Sequence, residues 1–275
     1  MPPDWRVDRT MEDVLAQLLP VANTIFWPFC RIAAALAASP VLGELMVPMR
    51  MRLLIALVLA LVVQPGIPAP PAIDPLSLEG IAAMMEQVLI GGLLGFMFHL
   101  VLSVLQIFGT VASSQMGLSM AQINDPMNGQ MADVLTGVMY VVFILLFFAV
   151  DGHLILTHVL ARSFAVWPVG RFAFDLDALK HLAFAVGWIF SAAVALALPV
   201  MFATLVVQAG LGLLNRAAPA LNLFALGFSV TTMFGLLLLT LLLPSLPDHY
   251  ARMVEHVLEI YDRLAPPPVG GKEAR

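Results

Sequence analysis

Residues 81–108 read IAAMMEQVLIGGLLGFMFHLVLSVLQIF, a run whose only ionisable side chains are Glu86 and His99. It holds no proline, does not alternate in twos, and exceeds the roughly 20 apolar residues that cross a bilayer as a helix. The rest of the chain follows suit. Further long apolar stretches run over Val14–Ala38, Leu53–Val63, Val134–Leu160, Leu179–Leu214 and Leu223–Leu243. Of the 275 residues 61% are hydrophobic and 11% charged, against about 45–50% and about 25% in soluble domains. Mean hydropathy is +0.95. The expected fold is therefore all-α: a membrane protein of about six long hydrophobic, partly kinked helices plus a C-terminal amphipathic helix.

Breaks between the spans are legible. Gln64-Pro65-Gly66-Ile67-Pro68-Ala69-Pro70-Pro71 reads as an extended connector. Gly109–Asp133 is the longest internal stretch that is not apolar, and Asn215–Pro219 reads as the turn of a helical hairpin. After Pro247, Tyr250, Met253, Val254, Val257, Leu258, Tyr261 and Leu264 keep a helical period, with Ser245 and Asp248 spaced as a capping signal. Such a helix packs on its own protein or binds a partner. Residues 1–13 form a charged N-terminal tail without the features of a cleavable signal, and 265–275 a disordered tail. With six spans, nine basic residues fall on the side of the termini and three on the other, Arg31 lying inside a span. That asymmetry places both termini in the cytoplasm.

Several chemistries are disfavoured. The small net charge of −5 argues against nucleic acid, and one cysteine, Cys30, gives neither a disulfide nor a metal cluster. No phosphate-binding Gly-x4-Gly-Lys loop is present. Asp151-Gly152-His153 and His158 lack the spacing of a metal helix and read better as a polar turn at a helix break. The reading is no enzyme, no metal and no cofactor.

Arg31, Glu86 and Asp151 lie in apolar segments, where a central charge costs about 2.5–3.5 kcal/mol on insertion scales. They fit either a buried ion-pair network within an assembly, with Arg31 holding Glu86, or a proton relay. The first is favoured, because each span carries a single carboxylate. Gly91 and Gly95, four residues apart, allow another helix backbone close approach. Around Pro126, Met116 and Met120, then Met127 and Met131, pair at four-residue spacing. Flexible thioethers with Gly109 and Gly117 as hinges suit a deformable constriction, although taken alone the loop reads better as an incidental connector in a chain already rich in Met.

The order of these blocks across the chain resembles the FliR family of flagellar export-gate proteins, related to the T subunit of type III injectisomes. The blocks are Arg31, Pro40-x7-Pro48-x-Arg50-x-Arg52, Pro65, Glu86-x4-Gly91-x3-Gly95-x2-Phe98, Gly109-x7-Gly117-x7-Asp125-Pro126, Asp151-Gly152-His153, and Asn215-Arg216-x2-Pro219-x2-Asn222-x-Phe224-x2-Gly227. The resemblance implies a single export-gate domain over 14–264. A FliP-like part covers about 14–175, and a FliQ-like hairpin with the C-terminal helix about 176–264. It implies a non-enzymatic subunit of the bacterial inner membrane and flagellar basal body. Its partners would be FliP-like and FliQ-like membrane subunits, FlhB and unfolded flagellar substrates. A plug would be formed around Gly109, Gln115, Met116, Gly117, Met120, Asp125, Pro126 and Met127. Arg31, Glu86 and Asp151 would be assembly contacts. An injectisome gate secreting effectors and a proton-coupled small-molecule transporter are the alternatives.

Overall fold

In a computed structural model the structure describes residues 5–43, 47–69, 71, 73–118, 134–170, 176–217 and 223–264. Among them are eight α-helices: α1 (Trp5–Ala38), α2 (Met49–Val63), α3 (Leu78–Met116), α4 (Val134–Ala149), α5 (Gly152–Val166), α6 (Leu176–Ala217), α7 (Leu223–Leu242) and α8 (Leu246–Leu264). The chain forms two compact units that interleave in sequence. One comprises Met1–His99, His153–Ala178 and Tyr261–Arg275, the other Leu100–Gly152 and Leu179–Ile260.

Helix α3 starts on local signals. Ser77 is its N-cap, accepting the Gly80 N–H on its hydroxyl at 2.9 Å, while Glu79 sits in the positive first turn. Its 39 residues extend about 58 Å at 1.5 Å per residue, nearly twice the hydrocarbon thickness.

In the first unit α1 crosses α3 at Gly91 and Gly95. A β-carbon on Gly91 would overlap the Arg31 carbonyl, and one on Gly95 the Ala35 carbonyl. The helix that these glycines admit is thus α1 of the same chain. Beside the crossing, Trp27, Ala83, Phe164 and Val169 make a small core, with Phe26, Ile73 and Met84 packed on it. Before α2 the Leu42 N–H donates to Pro40 O at 2.7 Å across Val41, whose φ is +65°. This rare γ-turn is clasped by Arg52, which donates to the carbonyls of Leu42 (2.8 Å) and Gly43 (3.0 Å). The expected extended connector begins differently. Gln64–Gly66 is a 3₁₀ turn, because Pro65 has the φ of a first helical turn and its missing N–H is not needed there.

The second unit is built from the later part of α3 with α4, α6, α7 and most of α8. Gly109 is mid-helix and buried, and its absent side chain lets α4 approach: a β-carbon would stand 2.9 Å from Thr136 Cα. Close packing, not hinge freedom, is what this glycine supplies. The Thr110 and Thr136 hydroxyls pair alongside at 3.1 Å. Phe143 lies 6.0 Å from Phe147 and 5.8 Å from Tyr250, tying α4 to α8. Helix α8 buries Tyr250, Met253, Val254, Val257 and Ile260 and exposes Arg252, Glu255 and Glu259, so its apolar face packs on its own chain. Ser245 does not cap it. Its hydroxyl donates back to Leu242 O at 2.8 Å, and a 3₁₀ turn at Leu243–Ser245 joins α7 to α8 without a break.

The span count shifts accordingly. Met49–Gly66, Leu78–Met116, Phe184–Ala217 and Gly227–Asp262 are long and apolar enough to cross a membrane; α4 with α5, taken as one broken span, makes five, and Ala22–Ala38 is a shorter apolar helix. The apolar stretch 134–160 is not one helix. Asp151 adopts φ +53°, and the Phe147 ring stands 2.6 Å from where a β-carbon on Gly152 would sit. The Asn215–Pro219 turn runs into residues outside those described, α6 continuing helical to Ala217.

The glycines of α3 give a matched test. Gly95→Val should destabilise by about 1–3 kcal/mol through overpacking, while Gly92→Val, with nothing within 4 Å of its would-be β-carbon, should be near neutral. Unfolding in mixed micelles followed by helical circular dichroism measures both.

Candidate functional site: a buried arginine cluster and the root of a methionine loop

Two places hold polar groups that apolar packing alone does not explain. The first is in the first unit. Arg31 on α1 is 0% exposed. Its Nε donates to Gln87 Oε1 at 2.8 Å, one terminal nitrogen to Ser163 Oγ at 3.0 Å, and the other to the Trp167 carbonyl at 2.7 Å. The guanidinium also lies 4.0 Å from the centroid of the Phe164 ring. Arg31 thus joins α1, α3, α5 and the turn after α5 through neutral acceptors.

Glu86 is placed beside this cluster but bonds elsewhere. Its Oε2 accepts the Gly170 N–H at 3.3 Å, and no ion pair within 4 Å links it to Arg31 among the described residues. Gly170 is left-handed (φ +78°), with Ile73 Cδ1 2.9 Å from where a β-carbon would sit. Asp151 is exposed, a turn residue between α4 and α5 rather than a buried charge. Gln87, Ser163, Phe164, Trp167 and Gly170 were missed by sequence reasoning. A glutamine beside Glu86 in an apolar run was the one available signal, since a backbone carbonyl leaves none.

The second place is in the second unit, where α3 ends and the Met-rich stretch starts. Gly117 is left-handed at φ +79°, its N–H donating to Ser114 O at 3.1 Å, a common way to stop a helix. The Phe228 ring stands 3.1 Å from where its β-carbon would be. Met116 is 0% exposed. Its side chain lies over Gly235 of α7, where a β-carbon would come within 2.5 Å of Met116 Cγ. Its carbonyl accepts the Thr232 hydroxyl at 2.9 Å, and the Gln115 carbonyl accepts the Gln208 amide at 3.2 Å. Gln115, Met116 and Gly117 are therefore fastened to α6 and α7. Met120, Asp125, Pro126 and Met127 lie outside the described residues.

Comparison with known proteins bears on both places. The profile of "Bacterial export proteins, family 1" matches residues 22–257. The "Flagellar biosynthetic protein FliR" of Pectobacterium carotovorum is 35% identical over 88% of this chain and 92% of its own. The chain belongs to the FliR family of bacterial export proteins. Its relatives of the same name in Escherichia coli K12 (34% identical, 90% of this chain and 94% of theirs) and Caulobacter vibrioides (30%, 85% and 93%) span nearly their whole length. As a FliR-family member with several apolar helices, it is a membrane subunit of the flagellar export apparatus. Both places described above fall inside the matched residues.

The arginine cluster sets a graded expectation. Arg31→Ala leaves a buried amide, hydroxyl and carbonyl without their donor, at about 1–3 kcal/mol each, whereas Ser163→Ala, losing one acceptor of a charged donor, should cost about 1.5–3 kcal/mol. Arg31→Lys should fall between them, because an ammonium cannot reach three acceptors set in the plane of a fork. Micellar unfolding midpoints of the three variants give the order.

Proposed function

We propose that this subunit contributes wall and plug to the conduit through which unfolded flagellar subunits are exported, and catalyses no reaction itself. The observation that carries the reading is the root of the methionine loop. A glycine turn that only a residue without a side chain adopts easily leads out of α3, next to a methionine wholly buried on α7. A plug needs this combination: one end held, so that it returns to the same seat, and compliant thioethers beyond it. Met120 and Met127 follow in the sequence and supply those thioethers. Met116, being buried, serves as the anchor of the plug, and Gly117 as the point about which it swings.

The remaining parts of the reading follow from the family. In this reading, which the resemblance to FliR proteins supports, the chain joins FliP-like and FliQ-like membrane subunits, with FlhB on the assembled gate and the driving energy supplied by other components. Exposed apolar side chains on α2 (Leu54, Val58, Val62) and α7 (Met233, Leu237, Leu241) suit burial by such neighbours as well as by lipid. Arg31 and Glu86, satisfied inside this chain, act in this reading by fixing the shape that neighbours meet.

Two measurements test the proposal. In cells making the whole apparatus, Gly117→Val and deletion of Met116–Met120 should each raise inner-membrane ion leak and reduce secretion of flagellar subunits. Leak and secretion both at wild-type levels would remove the plug. Native mass spectrometry of the complex in mild detergent should find one copy of this chain with several copies of two smaller hydrophobic proteins; a stable monomer without them would point to a transporter instead.

A further inference from the structure

The second unit is apolar almost throughout. No ionisable side chain occurs over Leu100–Met116 of α3 or Phe184–Asn215 of α6. Against these surfaces lies a cavity of about 340 Å³ that gathers one arginine and two histidines. Its polar lining is His249, Arg252 and His256, three side chains of α8 spaced to share one helix face. Among the described residues no carboxylate lines it. The acids of α8 lie to the side: Asp248 and Glu255 are exposed, and Glu259 stands 3.7 Å from His256 Nδ1 without lining the cavity.

The two imidazoles are held in position. Nδ1 of His249 lies 2.8 Å from the Ser245 carbonyl. A carbonyl only accepts, so Nδ1 carries the hydrogen, and Nε2 is left to a ligand. His256 is covered by the Trp188 ring, with centroids 4.5 Å apart and planes 32° apart. The opposite wall is apolar, formed by Val104, Ala192 and Leu196. The volume is at the small end of ligand sites, about 300–1,000 Å³.

We infer that this cavity binds the phosphate of an anionic phospholipid, with Arg252 and the two histidines around the phosphate and the apolar wall against the glycerol and first methylenes. A guanidinium fork matches phosphate oxygens two at a time, and imidazoles protonated beside the anion add single donors. Lipid, rather than a free ion, follows from the surroundings. Six of the nine lining residues are apolar, and Phe184, one turn before the lining Trp188 on α6, is exposed. A guanidinium and two imidazoles gathered beside hydrocarbon suit an anion.

The test is native mass spectrometry of the full chain in neutral detergent, titrated with phosphatidylglycerol or phosphatidylcholine. Phosphatidylglycerol should be retained about tenfold better. Arg252→Gln, at an exposed position that should not disturb folding, and His249→Gln should each lower that retention several-fold, whereas Arg216→Gln, an equal loss of charge at an exposed site away from the cavity lining, should leave it unchanged. Equal retention of the two lipids, or wild-type retention by the Arg252 and His249 variants, would overturn the proposal. Displacement of the lipid by millimolar inorganic phosphate would also overturn it, assigning the cavity to a free ion.

Discussion

A guanidinium without solvent is the constraint on which the first unit turns. The guanidinium of Arg31 is wholly buried, so the protein has to surround a charge with acceptors. It does so with an amide, a hydroxyl and a carbonyl from three different segments. These acceptors are in reach only because α1 and α3 touch backbone to backbone, and the closest point of that contact is the Arg31 carbonyl against Gly91. The glycine and the arginine are therefore one device: the first sets the distance, the second makes any other distance unfavourable. Neutral partners suit it, since a contacting carboxylate would itself have to be desolvated. Glu86 is instead turned to the Gly170 amide, where it fixes the strained turn after α5.

The second unit is organised by other means. Its helices meet through aromatic stacking, through a glycine in α3, through the apolar face of α8 and through single side-chain hydrogen bonds that cluster at the end of α3. At that end every interaction serves to hold the last turn while letting the chain leave abruptly. The Gln208 amide and the Thr232 hydroxyl take the carbonyls that helix termination leaves over, and Gly117 reverses the backbone beside Phe228. A segment that begins so firmly can change course beyond Gly117 without altering the helices behind it.

Much of this was readable from residue order. The long apolar runs, the amphipathic α8 and the Gly91–Gly95 step are written in periodicity and composition, which survive without knowing what packs on what. The break at Asp151 was legible as a polar turn, although hydropathy stays high on both sides of it. Other features were hidden for physical reasons. The partners of Arg31 lie as far as 136 residues away, and one is a main-chain oxygen that any residue supplies. Met116 belongs to a run of methionines whose spacing pointed to a pore lining, while its burial depends on Gly235, a small residue unmarked within α7. Gly109 was legible as important, but its purpose, admitting α4, required the neighbour to be seen.

The length of α3 has a consequence for how such a protein is made. A helix of about 58 Å, apolar almost to its ends, overshoots the hydrocarbon slab by about 28 Å if it stands upright. Tilting or thinning the bilayer absorbs only part of such an excess. The surplus turns are covered within the chain itself, Leu100, Leu102, Val104, Leu105, Phe108 and Ala112 all being buried. Until the rest of the second unit is made that surface has no such cover, so inserting α3 and packing the second unit are one problem rather than two.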